Sequence, residues 1–252
     1  MRSKERLIKS ARQLLAIGFW LLVWHIGAKM LGQEILLVSP ARAFSTLFSL
    51  MGTGDFYESV LFSLSRILLG FALALVAGVI LGAAAKFNSF IRALAQPLMQ
   101  AAKATPVASF IILALIWIKS ANLSVFTSFL MGLPVFYTNI LRGLDNADVR
   151  LLEMAQVFGI PMPSRLRAIY APAAYPFLLS AISSSFGMCW KAGVAAEVIG
   201  IPEGSIGEAL YRAKIFLDTP DLFAWTIAVM LLSVALEKLI FALIRRLPSP
   251  ED

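Results

Sequence analysis

Residues 153–172 read EMAQVFGIPMPSRLRAIYAP and lie in a polar interval between two strongly apolar segments. Asp145 and Asp148 stand three apart ahead of Leu151, Leu152, Met154, Ala155 and Phe158, so the spacing predicts a capped amphipathic helix with an apolar stripe. Gly159 would end it in the left-handed conformation, and Pro161 and Pro163 follow where a helix does not readily continue. Ser164 is then placed to cap a second short helix carrying Arg165 and Arg167. Helix, sharp turn and helix make a compact knob, a shape suited to transmitting a rigid-body motion. An ordinary polar loop is the plainer reading, but several fixed offsets coincide between the two apolar segments.

The chain is 59% hydrophobic, and its mean hydropathy is +0.81. That is well above the apolar share of a soluble domain, roughly 45–50%, and predicts an all-α integral membrane protein. Runs long enough to cross about 30 Å of hydrocarbon at about 1.5 Å per residue fall at 12–31, 64–86, 101–118, 122–141, 173–196 and 222–244, which predicts six spans in one membrane domain, residues 1–252. Only Lys119, Ser120 and Ala121 separate the third from the fourth, so a tight hairpin is expected, or else a broken or re-entrant arrangement.

Lys and Arg concentrate on cytoplasmic loops. Arg2, Lys4, Arg6, Lys9 and Arg12 precede the first span, and Lys86, Arg92 and Lys103 lie about the second and third. Arg142, Arg150, Arg165 and Arg167 follow the fourth, and Lys238, Arg245 and Arg246 close the chain. All these segments share one side, so both termini and the knob, about 142–172, are expected in the cytoplasm. The net charge of +7 then reflects a basic inner face beside anionic lipid, with no nucleic acid implied. The first apolar run is too long for a cleavable signal and reads as a retained span.

Cys189 and His25 are the only residues of their kinds and both fall in spans. No cysteine cluster, HExxH pair, glycine-rich nucleotide loop or other catalytic constellation is legible. Neither a metal nor a cofactor is expected, nor an enzyme. Outside the membrane, residues 32–63 hold Ser39 and Pro40 as a start signal, and Ala41 to Met51 reads either as a short helix or as a plain loop. In residues 197–221, Ser205 and Glu208 form a capping box ahead of Ile206, Leu210, Ala213 and Leu217 on one helical face, stopped by Asp218, Thr219, Pro220 and Asp221.

In order and spacing, Glu153, Met154, Ala155, Gly159, Ile160, Pro161, Ile169 and Pro172 resemble the EAA loop of bacterial ABC importer permeases. Nearly the whole chain is similar to the aliphatic sulfonate, taurine and nitrate branch. The matching parts are Ser39-Pro40, Ser63 to Phe71 (SLSRILLGF), Gln96-Pro97, Ala104-Thr105-Pro106 and Ala196-Glu197. The resemblance implies a type I importer permease fold in the bacterial inner membrane. It also implies two permease copies around the path, two ATPase subunits docked on the loop and a solute-binding protein outside. Met154 and Ala171 stand where the family usually has Ala and Leu, small apolar exchanges expected on a buried face.

Trp190, Lys191 and Glu197 in the fifth span are the candidates for the path or gate. Trp190 and Glu197 are seven apart and share a helical face, whereas Lys191 is turned by about 100°. A charge inside an apolar run must face water or a partner, so Lys191 reads either as a positive site for a passing anion or as one half of a structural ion pair. The expected function is import of a small, anionic solute, with sulfonates first and taurine or nitrate-like anions beside them. A vitamin-precursor permease of the same class is the alternative. A stand-alone channel or secondary transporter lacks the embedded ion-coupling groups it would normally use.

Overall fold

Long apolar runs without strand signals become helices, and among the described residues every regular element is helical. The computed structural model describes residues 2–244, with side chains over 11–242, so Arg245 and Arg246 and the side chains of Arg2, Lys4, Arg6 and Lys9 lie outside the described residues. Four helical segments are long and apolar enough to cross a membrane: Ala11–Leu31, Gly54–Phe87, Ser120–Asp145 and Thr219–Ala242. The bent pair Ser89–Ala104 and Val107–Ala114 makes a fifth if counted as one span.

The third expected span, 101–118, is therefore not a straight helix. Helix α4 (Ser89–Ala104) starts on Asn88, whose side chain accepts from the Phe90 and Ile91 amides, and stops at Thr105 in extended geometry. Pro106 forces that stop, because the residue before a proline is pushed out of helical space. Helix α5 (Val107–Ala114) then leaves at 103°. The fifth expected span, 173–196, lies in α9 (Ala171–Gly200). At about 45 Å that helix has length to spare. Its serines, with Lys191 and Glu197, keep it outside the apolar set, and many of its residues are buried against protein instead.

The chain packs as two compact units, Met1–Glu58 with Ala209–Met230, and Ser59–Glu208 with Leu231–Asp252. The first holds α1 (Arg2–Leu31), α2 (Pro40–Leu50) and parts of α3 (Gly54–Phe87), α10 (Ile206–Ile215) and α11 (Thr219–Ile244). As Ser39 and Pro40 predict, α2 forms, with the Ser39 side chain accepting from the Arg42 amide at 3.4 Å. Trp24 ties α1 inward by donating to the Val38 carbonyl at 2.9 Å and stacking on Phe223. Thr219, at the head of α11, donates to Ile35.

The second unit is built on α6 (Leu123–Asp145) and α9, with the body of α3 beside them. Backbones come close where side chains are small, as membrane helices require when dispersion has to hold them together. A Cβ on Gly132 would lie 2.8 Å from that of Ala74 and 3.2 Å from the Cys189 sulfur. Ser128 and Cys189 exchange hydrogen bonds with each other's carbonyls, at 3.1 and 3.2 Å, tying the second turn of α6 to the C-terminal half of α9.

Candidate functional site

The knob grows from the end of α6. Asp145, the last residue of that helix, accepts from Lys86 at 2.9 Å and from Arg92 at 3.2 Å. Tyr170 is flanked by the Phe87 ring edge-on at 5.3 Å and by the Lys86 ammonium at 6.0 Å. Exposed ion pairs are each worth only about 0–1 kcal/mol, so the apolar base counts for more. It consists of Ile140, Leu144, Ala147, Ala155, Ile169, Tyr170 and Ala174, with Leu152 and Ile160 packed against them.

Helix α7 (Val149–Val157) starts on Asp148, whose carboxylate accepts from the Arg150 amide at 2.8 Å. Gly159 ends the turn after it at φ +63°, as the sequence predicts. The Ile160 amide then reaches back to the Ala155 carbonyl at 2.9 Å. Arg165 closes the turn from the other side, its Nε donating to the Ile160 carbonyl at 2.7 Å and its Nη2 to Ala155 at 3.2 Å.

Beyond the turn the structure departs from expectation. Ser164 caps nothing. The chain re-enters helix after Pro161 at α8 (Met162–Arg165), with Ser164 inside it. It widens into one π-helical turn over Leu166–Tyr170 and runs on as α9 without leaving helical space. The second helix of the knob is thus the first turns of α9, and no flexible joint separates them.

Of the expected docking residues, Ala155 and Ile169 form the base, Ile160 and Pro172 are half-buried, and Glu153, Met154, Gly159 and Pro161 are exposed. Met154 and Ala171, expected on a buried face, lie on the outside. The tip is apolar: Val149, Met154, Val157 and Phe158 stand out, Val157 and Phe158 being 83% and 75% exposed. These side chains form an exposed apolar patch over the buried base.

At the far end of the same unit, Trp190 and Glu197 are fully buried, whereas Lys191 is exposed and enters no ion pair among the described residues. Glu197 is held by Ser63, which donates to its Oε2 at 2.6 Å and accepts from the Ile206 amide at 3.0 Å. One serine therefore ties the end of α9 to α3 and to the start of α10. Gly207 packs directly on the Glu197 backbone, leaving no room for a Cβ. The capping box is modified: Ser205 accepts from the Glu208 amide at 3.0 Å, but the Glu208 carboxylate takes the Gly204 amide, because the Ser205 amide goes to Pro202. Ser63 is the residue that spacing missed. Its partners lie 134 and 143 positions away, and nothing local signals them.

Helices long and apolar enough to cross a membrane, with a helical knob at the end of one of them, have the build of a membrane transport subunit. Residues 74–249 match the family of the binding-protein-dependent transport system inner membrane component, and the chain belongs to it. A Brucella melitensis protein named as an ABC transporter permease is 27% identical over 92% of this chain and 92% of its own length. The Bacillus subtilis protein SsuC, named for aliphatic sulfonates transport, is 26% identical over 82% of this chain and 74% of its own length. Among solved structures, a crystal structure of an amino acid ABC transporter with histidines superposes with a TM-score of 0.63 at 18% identity, covering 80% of this chain and 98% of that one, which shows the fold. The chain is an ABC transporter permease of the type I importer class.

Proposed function

We propose that this permease forms the path for a small anionic solute of the sulfonate, taurine or nitrate kind. A binding protein delivers the solute outside, and two ATPase subunits drive import by docking on the knob. In this reading residues 1–252 are one membrane domain in the bacterial inner membrane, with six spans, both termini in the cytoplasm and a second identical copy completing the path. The observation that carries it is the apolar tip of Val149, Met154, Val157 and Phe158, held outward by the buried base and by Arg165.

Docking is tested with Val157→Asp and Phe158→Asp. Both side chains are exposed in the chain, so folding should survive while a charge on the tip opposes burial against the ATPase. Reduced ATPase co-purification with normal permease yield is expected; wild-type co-purification of both variants would sink the assignment. The anionic solute rests on the relative named for sulfonates and on the motifs shared with its branch. Uptake of labelled ethanesulfonate, taurine and nitrate, each competed against the others, tests it. Failure of all three directs attention to a vitamin-precursor solute.

A further inference from the structure

Away from the knob tip and the Glu197 clamp, a polar pocket of about 320 Å³ opens in the second unit between α4 and the last turns of α6. On α4 its wall is Arg92, Gln96, Gln100 and Lys103, spaced four, four and three apart and so on one helical stripe. On α6 it is Thr138, Arg142 and Asp145, spaced four and three. The stripes run antiparallel: Arg92 meets Asp145 at 3.2 Å at one end, and Lys103 donates to Thr138 at 2.8 Å at the other.

Charge does not balance across this pocket. Lys86 and Arg92 share the one carboxylate, Asp145. Among the described residues Lys103 has only a neutral hydroxyl as partner, and no ion pair includes Arg142. Tyr137 lines the same space, 4% exposed, with a hydroxyl that makes no hydrogen bond among the described residues. Cations of like sign around one pocket repel, and an anion between them reverses the sign of the interaction. A guanidinium and an ammonium together suit an oxyanion, the first as a fork for two oxygens and the second as a point charge.

We propose that this pocket binds one oxyanion group of the sulfate, sulfonate or phosphate class between Lys103 and Arg142, with Gln100 as a neutral donor on the α4 stripe. The source is either a free anion or the headgroup of an anionic phospholipid. The site stands whatever solute the permease imports, because it rests on the charges of α4 and α6 alone.

The test uses the full chain in phosphatidylcholine nanodiscs, titrated with sodium sulfate against sodium chloride at matched ionic strength, so that screening is equal in both series. A parallel set of nanodiscs contains increasing fractions of phosphatidylglycerol, first without sulfate and then with sulfate added. The melting temperature is read in each. A saturable rise with sulfate assigns a free anion, while a rise with phosphatidylglycerol that added sulfate displaces assigns the headgroup. In either case Arg142→Gln and Lys103→Gln should weaken half-saturation at least about tenfold, the loss of one charge-assisted contact. Arg142→Lys keeps the charge but loses the fork, and should weaken it by about threefold. It serves where a neutral variant does not fold. No saturable rise in either arm, or half-saturation unchanged in the variants, overturns the site.

Discussion

Gly159 offers a perturbation whose magnitude follows from backbone geometry alone. At φ +63° a residue with a Cβ is strained, yet the position a Cβ would occupy has no atom within 4 Å. Gly159→Val therefore sets its Cβ in open space and carries mainly the left-handed cost of about 1–2 kcal/mol, at its upper end for a β-branched side chain. That strain falls on the Ile160 to Ala155 bond and on the carbonyl that Arg165 holds. Since about 1.4 kcal/mol is tenfold in an equilibrium, the opened fraction of the turn should rise by about ten- to thirtyfold. Hydrogen exchange across residues 155–165 in the assembled complex reads this directly, beside uptake and ATPase co-purification. Gly159→Asn is the control, because asparagine tolerates this conformation, and it should stay near wild type in all three. Equal damage from Asn and Val would refute the backbone argument. Wild-type exchange and uptake for Val would refute the role of the turn in coupling.

Ser63→Ala removes two bonds and strips the buried Glu197 carboxylate of a donor, so the complex should lose about 1–3 kcal/mol; the loss should be smaller in a Glu197→Gln background, and additive losses in thermal melts would show that the two residues are not coupled. Lys191→Met is expected to leave melting unchanged, since Lys191 is exposed and enters no ion pair among the described residues, but to lower uptake per folded complex, with Lys191→Arg retaining part of it; lowered melting with unchanged specific uptake would remove Lys191 from the path. In a Cys189→Ala background, Glu203→Cys should react with an impermeant thiol reagent in intact cells and Val157→Cys should react only in inverted vesicles, and the reverse pattern would invert the proposed orientation.

What was legible in the sequence follows from how far apart the interacting residues lie. Asp148, Gly159, Ser39 and Ser205 act on amides one to four positions away, so each could be read from spacing, and each performs that local role. Ser164 failed by the same logic in reverse: Pro161 and Pro163 already suit a helix start, so no serine cap was required. The break at Thr105 was readable from Pro106, but continuous hydropathy over 101–118 hid it. Gly78 and Gly82, four apart in α3, lie against Phe136 and Ile140 of α6, a close-packing spacing that the reading of the spans passed over. The Ser63 to Glu197 clamp and the pairing of Arg92 with Asp145 join residues 134 and 53 positions apart; in the sequence, Arg92, Lys103 and Arg142 served only to mark a side of the membrane.

One helix connects both ends of the second unit. From Met162 to Gly200 the backbone stays in helical space, passing only through the wide turn at Leu166–Tyr170, so a push on the knob reaches Glu197 without crossing a loop. Rotation of α9 by itself is obstructed just above that turn, where a Cβ on Gly143 of α6 would lie 2.8 Å from the Ala174 Cα. Farther along, Ser128 and Cys189 bind the two helices through each other's carbonyls. In the proposed coupling, a displacement begun at the knob would therefore be shared by α6 and α9 as a pair. Its far end is the Ser63 clamp, where α9, α3 and the start of α10 meet on a single hydroxyl.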